Sequence, residues 1–286
     1  MAKQNDDDYP TTGHDWDGIR EYDKPMPAWW LWTFYATILF AVGYMIAYPA
    51  WPLITTNTKG LLGYTTRDAV EADLAAWEAQ NADLVAEIEA TELSAILEDD
   101  TLLRFANAGG AAVYRNNCST CHGAGAGGTL GAYPSLLDDD WLWGGTVEDI
   151  HQTIAHGVRW DADWDTRLSQ MPAFGMDELL PPEDIDAVAA YVLSLSGIEA
   201  DGDLAKGAEI FDLECSACHG AQGMGDPFLG APNLTDAIWL YGGTKEEVVH
   251  TINTAPAGVM PAWVGHLTDA QIKQVAIYVH QLGGGE

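Results

Sequence analysis

Basic side chains are scarce in this sequence: 12 Lys and Arg stand against 43 Asp and Glu in 286 residues, a formal net charge of -31. Phosphate contacts need a basic surface, so the shortage excludes a nucleic-acid binder. The acid is not confined to a tail, because residues 59–286 carry 36 of the acidic and 9 of the basic side chains. Such a surface serves the solubility of an exported chain or the steering of a basic partner. Cysteine is sparse too. All four fall in two Cys-x-x-Cys pairs, which leaves none for a disulfide framework. From Pro25 to Thr58 charge is missing altogether.

What remains is the composition of a folded chain, 48% hydrophobic and long enough for two small domains with connecting segments. Domains of that size commonly lean on a bound cofactor for stability. Residues 1–24 are polar and net acidic with no apolar periodicity, which predicts a mobile tail within an entry segment 1–28. Trp29–Trp51 reads WWLWTFYATILFAVGYMIAYPAW. As a helix these residues rise about 35 Å against a hydrocarbon core of about 30 Å, so 29–51 is predicted to span a membrane. Trp29, Trp30 and Trp32 at one end and Tyr48 and Trp51 at the other match interfacial aromatic belts. A cleaved signal peptide would need a shorter apolar run and a small-residue cleavage site, and neither is present.

Residues 52–104 form an acidic helical linker. Within it Val70, Leu74, Trp77, Leu84 and Ile88 fall three or four apart, interrupted at Asn81. This predicts one amphipathic helix whose acids face solvent, with Thr65 and Asp68 as a capping box.

Beyond residue 104 the chain repeats itself. AVYRNNCSTCHGA (112–124) matches EIFDLECSACHGA (209–221), and WLWGGTVEDIHQTI (141–154) matches WLYGGTKEEVVHTI (239–252). MPAF (171–174) matches MPAW (260–263), and DAVAAYVLSL (186–195) matches KQVAIYVHQL (273–282). One domain is duplicated, as 105–198 and 199–286, with about eight extra residues before the Met of the first copy.

Each copy holds Cys-x-x-Cys-His: Cys118, Cys121, His122 and Cys215, Cys218, His219. This is the attachment signature of c-type haem, in which two thiols add to the haem vinyl groups and the next residue ligates the iron. A zinc site using both pairs would not explain a His after each, and a redox dithiol would want a βαβ context. The distal ligand should be soft or imidazole. Met171 and Met260 stand in the shared Met-Pro-Ala-aromatic motif, whereas Met176, Met224, His151, His156, His250, His266 and His280 lack counterparts in the other copy. His/Met ligation at each haem is the expectation. Gly110 and Tyr114 before Cys118, and Gly207 and Phe211 before Cys215, predict close helix crossings with the helices of Tyr191 and Tyr278. Pro181 and Pro182 start the first of these helices, and Thr268 with Gln271 caps the second.

These motifs give each copy the pattern of class I cytochrome c, which it resembles: N-terminal helix, haem motif, Met loop and C-terminal helix. The expected fold is mostly α, one N-terminal transmembrane helix followed by two tandem domains of that class. In that family a Pro after the haem motif offers its carbonyl to the proximal His, and Pro134 and Pro232 are the matching candidates. The whole chain is similar to the dihaem (FixP/CcoP-type) subunit III of cbb3-type cytochrome c oxidases, including HDWDGIREYDKPMPAWW before the anchor. That resemblance implies two covalently bound haems c and electron transfer from a cytochrome c to another haem subunit and then to the haem–copper core. It implies no substrate chemistry on the chain's own haems. Its partners would be the catalytic haem–copper subunit, a monohaem cytochrome c subunit, the cytochrome c donor and the lipid membrane.

Arg20 and Lys24 flank one end of the span and Lys59 and Arg67 the other, so charge does not orient it. Haem attachment on the periplasmic side of bacterial inner membranes, as the resemblance implies, places the N-terminus in the cytoplasm. Other readings are a free-standing anchored dihaem shuttle, the cytochrome subunit of a periplasmic dehydrogenase, a dihaem peroxidase or a haem sensor. A peroxidase needs an open iron and a sensor an output domain. Neither is expected here.

Overall fold

An Asp-Gly pair between β-formers nucleates structure where the sequence predicted a mobile tail. In the computed structural model, which describes residues 10–286, β1 (Thr11–Trp16) pairs antiparallel with β2 (Ile19–Tyr22), with Trp16 opposite Ile19. Asp17 and Gly18 both have positive φ (53° and 89°), the two-residue turn whose twist matches that of the strands. Residues 1–9 of the expected tail lie outside the described residues. The described chain falls into two units, 1–80 and 81–286.

In the first unit, α1 (Ala28–Ala47) is 20 residues long and buries none of them, so its apolar side chains all face outward. At 1.5 Å per residue it rises about 30 Å, enough for a single membrane crossing. It stops at Ala47 rather than Trp51. Pro49 disfavours a helical residue before it, and Tyr48 is extended (φ -113°, ψ 163°). The chain then doubles back: Leu61 N and Leu62 N donate to the Ile46 and Ala47 carbonyls at 2.9 and 3.0 Å. Those last-turn carbonyls would otherwise lack partners. Gly60 permits the approach, since a Cβ there would strike the Ala47 carbonyl.

The linker helix α2 runs unbroken over Thr66–Ala90, through Asn81, and Asp68 N donates to Thr65 Oγ1 at 3.0 Å. Its apolar stripe is used at one end only. Ile88 is buried while Val70, Leu74 and Trp77 remain more than half exposed.

In the second unit Ile88 packs with Leu93 and Ile96 of α3 (Leu93–Glu98), Leu102 and Ala106 of α4 (Asp100–Val113) and Ile277 of α11 (Asp269–His280). Lys273 Nζ caps this end of α2, donating to the carbonyls of Ile88, Glu89 and Thr91. After α4 come α5 (Ser119–His122), α6 (Val147–His156) and α7 (Pro182–Leu195), and the second copy supplies α8 (Leu204–Ile210), α9 (Ser216–His219), α10 (Lys245–Thr254) and α11. Both helix starts read from sequence appear, Pro182 at the start of α7 and a Thr268–Gln271 capping box on α11.

The helices pair across the copies. Segments 105–198 and 199–286 mark the repeats, yet α4 crosses α11 and α8 crosses α7. Tyr114 meets Tyr278, and Phe211 meets Tyr191, each with ring centroids 5.4 Å apart. A Cβ on Gly110 would strike the Gln274 carbonyl and Tyr278, and one on Gly207 would strike the Ala187 carbonyl and Tyr191. Chain economy favours this exchange, because only a short loop separates α7 from α8 and closing it is entropically cheap. Ion pairs from Lys206 to Asp184 and from Lys245 to Asp186 then fasten α7 to the second copy. The remaining helix, α11, completes the first. Gly110→Val should cost about 3 kcal/mol in denaturant unfolding. In a double-mutant cycle it should couple with Tyr278→Ala and be additive with Tyr191→Ala. Coupling to Tyr191 instead would restore pairing within each copy.

Between the copies lies Asp140, whose carboxyl is pushed up to about 6 by burial, with Asp236, Asp138 and Asp139 adding repulsion. The folded protein therefore holds this proton more tightly than the unfolded chain, whose carboxyl titrates near 3.8. Its contribution to stability falls as pH rises from about 4 to 6 and is level above that. Asp140→Asn should flatten that slope and stabilise the fold at pH 7 by about 1 kcal/mol after solvent screening. Thermal unfolding across that pH range is the measurement.

Candidate functional site

Each Cys-x-x-Cys-His begins where an α-helix loosens. α4 leads into a π-helical turn, Tyr114–Cys118, and then the single turn α5. α8 leads into Phe211–Cys215 and α9 in the same way. Such turns insert a residue into the helix and re-aim the side chains beyond it, and they recur at functional sites. Nothing in the composition of YRNNC or FDLEC signalled them. Tyr114 is fully buried and donates its hydroxyl to the Gly123 carbonyl at 2.8 Å; burial pushes that phenol up to about 12, so it stays a donor.

His122 Nδ1 lies 3.2 Å from the Pro134 carbonyl, and His219 Nδ1 lies 3.1 Å from the Pro232 carbonyl. A carbonyl only accepts, so each Nδ1 carries the proton and each Nε2 keeps its lone pair for a ligand. Burial lowers the pKa of both imidazoles, opposed by the bond to the proline carbonyl, which keeps the rings neutral. Both prolines are held by a glycine that the motifs did not single out. A Cβ on Gly128 would strike Tyr133 and Pro134, and one on Gly225 would strike Ala231 and Pro232. All four cysteines are free. Burial pushes the Cys118 and Cys215 thiols up to about 11.

The Met loops dock on the other copy's helices. Met260 and Cys118 pack against one cluster containing Tyr114, Ile150, Ile154 and Val279. Trp263 N donates to the Ile154 carbonyl at 3.2 Å, which seats MPAW on α6. Phe174 N donates to the equivalent Ile252 carbonyl at 3.1 Å, which seats MPAF on α10. The structure thus brings Cys118 and Met260 to one cluster and seats the Met171 segment on α10, whose Val248 and Ile252 belong to the cluster that Cys215 packs against. Met171 lies 49 residues after His122 and Met260 lies 41 after His219, but the helix exchange carries each Met loop across to the other copy.

Arg159 joins the two Met segments. Its Nε donates to the Gly258 carbonyl and its Nη1 to the Ser169 carbonyl, each at 2.7 Å. Gly258 and Ser169 each stand two residues before a Met of the repeated motif. No sequence signal singled out this arginine, which lies in the unrepeated insertion. His156, the last residue of α6, lies 3.2 Å from Asp163 of that insertion, while His280 contacts the Glu286 carbonyl at 3.0 Å. Met176 and Met224 are mostly exposed, at 70% and 63%.

A haem fits this donor set. Among the described residues the only close cluster of metal-binding side chains is His156, Asp163 and Asp165, with no cysteine in it, so neither Cys-x-x-Cys pair is folded as a zinc site. Trp141 and Trp239 hold equivalent positions. The Trp141 indole N–H donates to the Gly284 carbonyl, but that of Trp239 is buried without a protein partner. A buried N–H with no acceptor is costly, and it suits a carboxylate of a bound haem.

Comparison with known proteins agrees. The family described as "Cytochrome C oxidase, cbb3-type, subunit III" matches residues 105–192 and 202–279, and the "N-terminal domain of cytochrome oxidase-cbb3, FixP" matches residues 9–55. The chain is 54% identical over 286 residues to the cbb3-type cytochrome c oxidase subunit CcoP of Cereibacter sphaeroides, covering 100% of this chain and 98% of the relative. It is 48% identical over 277 residues to subunit FixP of Sinorhizobium medicae (96% and 95% covered) and 50% identical over 285 residues to subunit CcoP of an Azospirillum strain (96% of each).

Proposed function

Because this chain belongs to the subunit III family of cbb3-type cytochrome c oxidases, we propose that it is the electron-entry subunit of such an oxidase. It carries two covalent haems c that pass electrons from a cytochrome c donor, by way of the monohaem subunit, to the haem–copper core of the catalytic subunit. The observation that carries this reading is the pair of carbonyl-oriented histidines, in a fold that seats each Met-Pro-Ala loop on the opposite copy.

When bound, each haem supplies a one-electron ferric/ferrous couple. Cys118 and Cys121 fasten one and Cys215 and Cys218 the other. His122 with Met260, and His219 with Met171, would hold the two irons, and thioether ligation would set a higher potential than a second imidazole. The Pro134 and Pro232 carbonyls hold the proximal rings in place and tune their basicity. Ligands of this kind at both irons would leave neither open to a substrate, so the chain's part in the complex would be electron transfer. Arg159 is a positioning residue for both Met loops. α1 serves as a single-pass anchor with the N-terminus in the cytoplasm and the haem-bearing unit in the periplasm, where c-haem attachment occurs.

Acid–acetone extraction should leave two haems on each chain, and copper with high-spin b haem should co-purify with it. The ligand pairing has a sharper test. In a chain with Cys118→Ala and Cys121→Ala, Met171→His should keep the remaining haem low-spin and lower its potential, while Met260→His should leave that potential unchanged. A shift with Met260→His instead would put the ligands back in sequential pairing. Arg159→Gln should weaken the sulfur-to-iron absorption band of both haems together; loss at one haem alone would remove its bridging role.

A further inference from the structure

Apart from Arg159, which ties the two Met segments together, the insertion that breaks the repeat has no task at the haem sites, and it forms an exposed loop. Between the end of α6 and Met171 the first copy runs GVRWDADWDTRLSQ, where the second has only APAGV between α10 and Met260. Val158, at the root of the loop, exchanges both backbone hydrogen bonds with Met260, at 2.9 and 3.0 Å. The other end is tied by Arg159 to Ser169, two residues before Met171. The loop therefore rises from between the two Met segments.

It is pinned from within. Arg159 N donates to the Arg167 carbonyl at 2.8 Å, Trp160 N to Thr166 Oγ1 at 3.1 Å, and Asp165 N to Asp163 Oδ1 at 2.8 Å. Both of its basic side chains point inward. Arg159 is spent on the Met segments, and Arg167 reaches Thr153 Oγ1 and the Asp149 carboxylate, both at 3.0 Å. What remains outside is aromatic and acidic. Trp164 at the tip is 102% exposed and Leu168 75%, and Asp161 and Asp165 flank the tip, both exposed. A bare indole on a pre-organised loop is costly to leave in water and is the side chain most favoured as an interface anchor. Carboxylates around it select a basic surface and repel an acidic one.

We propose that the loop 159–168 is the docking finger for the electron donor, a lysine-rich c-type cytochrome, with Trp164 as its apolar anchor and Asp161 and Asp165 as its charged rim. This rests on the electron-entry reading and names the surface that performs it. The loop places the donor against the Met segments, which close the distal side of the two haem sites.

The test uses the whole purified complex with reduced mitochondrial cytochrome c as the probe, followed by stopped-flow absorbance at low ionic strength. Trp164→Ala removes no packing inside the protein. It should slow the second-order reduction of the chain's haems about tenfold, while reduction by ascorbate with a small mediator is unchanged. Asp161→Asn with Asp165→Asn should slow it about threefold and flatten its dependence on salt. A Trp164→Ala rate within twofold of the parent overturns the docking role. So does loss of other subunits from that variant during purification, which would assign the loop to contacts within the complex. If the unmodified complex takes no electrons from the probe, the electron-entry reading itself fails, and that outcome is distinct from either.

Discussion

Two helix crossings fix nearly everything else in the haem-bearing unit. Gly110 lets α4 meet α11 with backbone nearly touching backbone, and Gly207 does the same for α8 and α7. Each crossing is lined by an aromatic pair, Tyr114 with Tyr278 and Phe211 with Tyr191. Because a side chain at either glycine would force the helices apart, each crossing accepts one partner at one depth. That choice sends the first copy's last helix to the second copy and the second's to the first. The Met loops preceding those helices must go with them.

The exchange makes the two candidate haem sites mechanically one object. Arg159 couples the two Met segments through a pair of 2.7 Å hydrogen bonds. A relay benefits from this, since the spacing of two redox groups is then set by a shared frame rather than by a flexible linker. The loop between α7 and α8, which in a string of independent domains would act as a hinge, instead joins two helices of one packed layer. Symmetry is broken in two places. The insertion at 159–168 belongs to the first copy alone, and the C-terminal tail caps the Trp141 indole while the equivalent Trp239 has no protein acceptor.

The apolar helix α1 obeys a different constraint, the hydrogen-bond needs of a helix end. Pro49 stops α1 while carbonyls remain to be satisfied, and the chain folds back so that Leu61 and Leu62 supply the donors. Along α2 the apolar stripe is covered only near Ile88, where Lys273 also caps the helix, so the linker is tied to the unit it introduces at that end.

Residue chemistry and local spacing were legible from the chain alone: the two haem motifs, the repeated Met, the prolines whose carbonyls meet His122 and His219, the span near 29–51 and the caps of α7 and α11. These signals depend on neighbours a few residues apart or on comparison of one copy with the other. The hairpin at Thr11–Tyr22 was there too, in Asp17-Gly18, but composition hid it. Which copy closes which site was not legible. The repeats are alike enough that α11 and α7 offer the same kind of face to either N-terminal helix, so periodicity cannot choose between them. The choice rests on a short connection, on Lys206 and Lys245 meeting Asp184 and Asp186, and on contacts far apart in sequence. Only the folded chain brings those together.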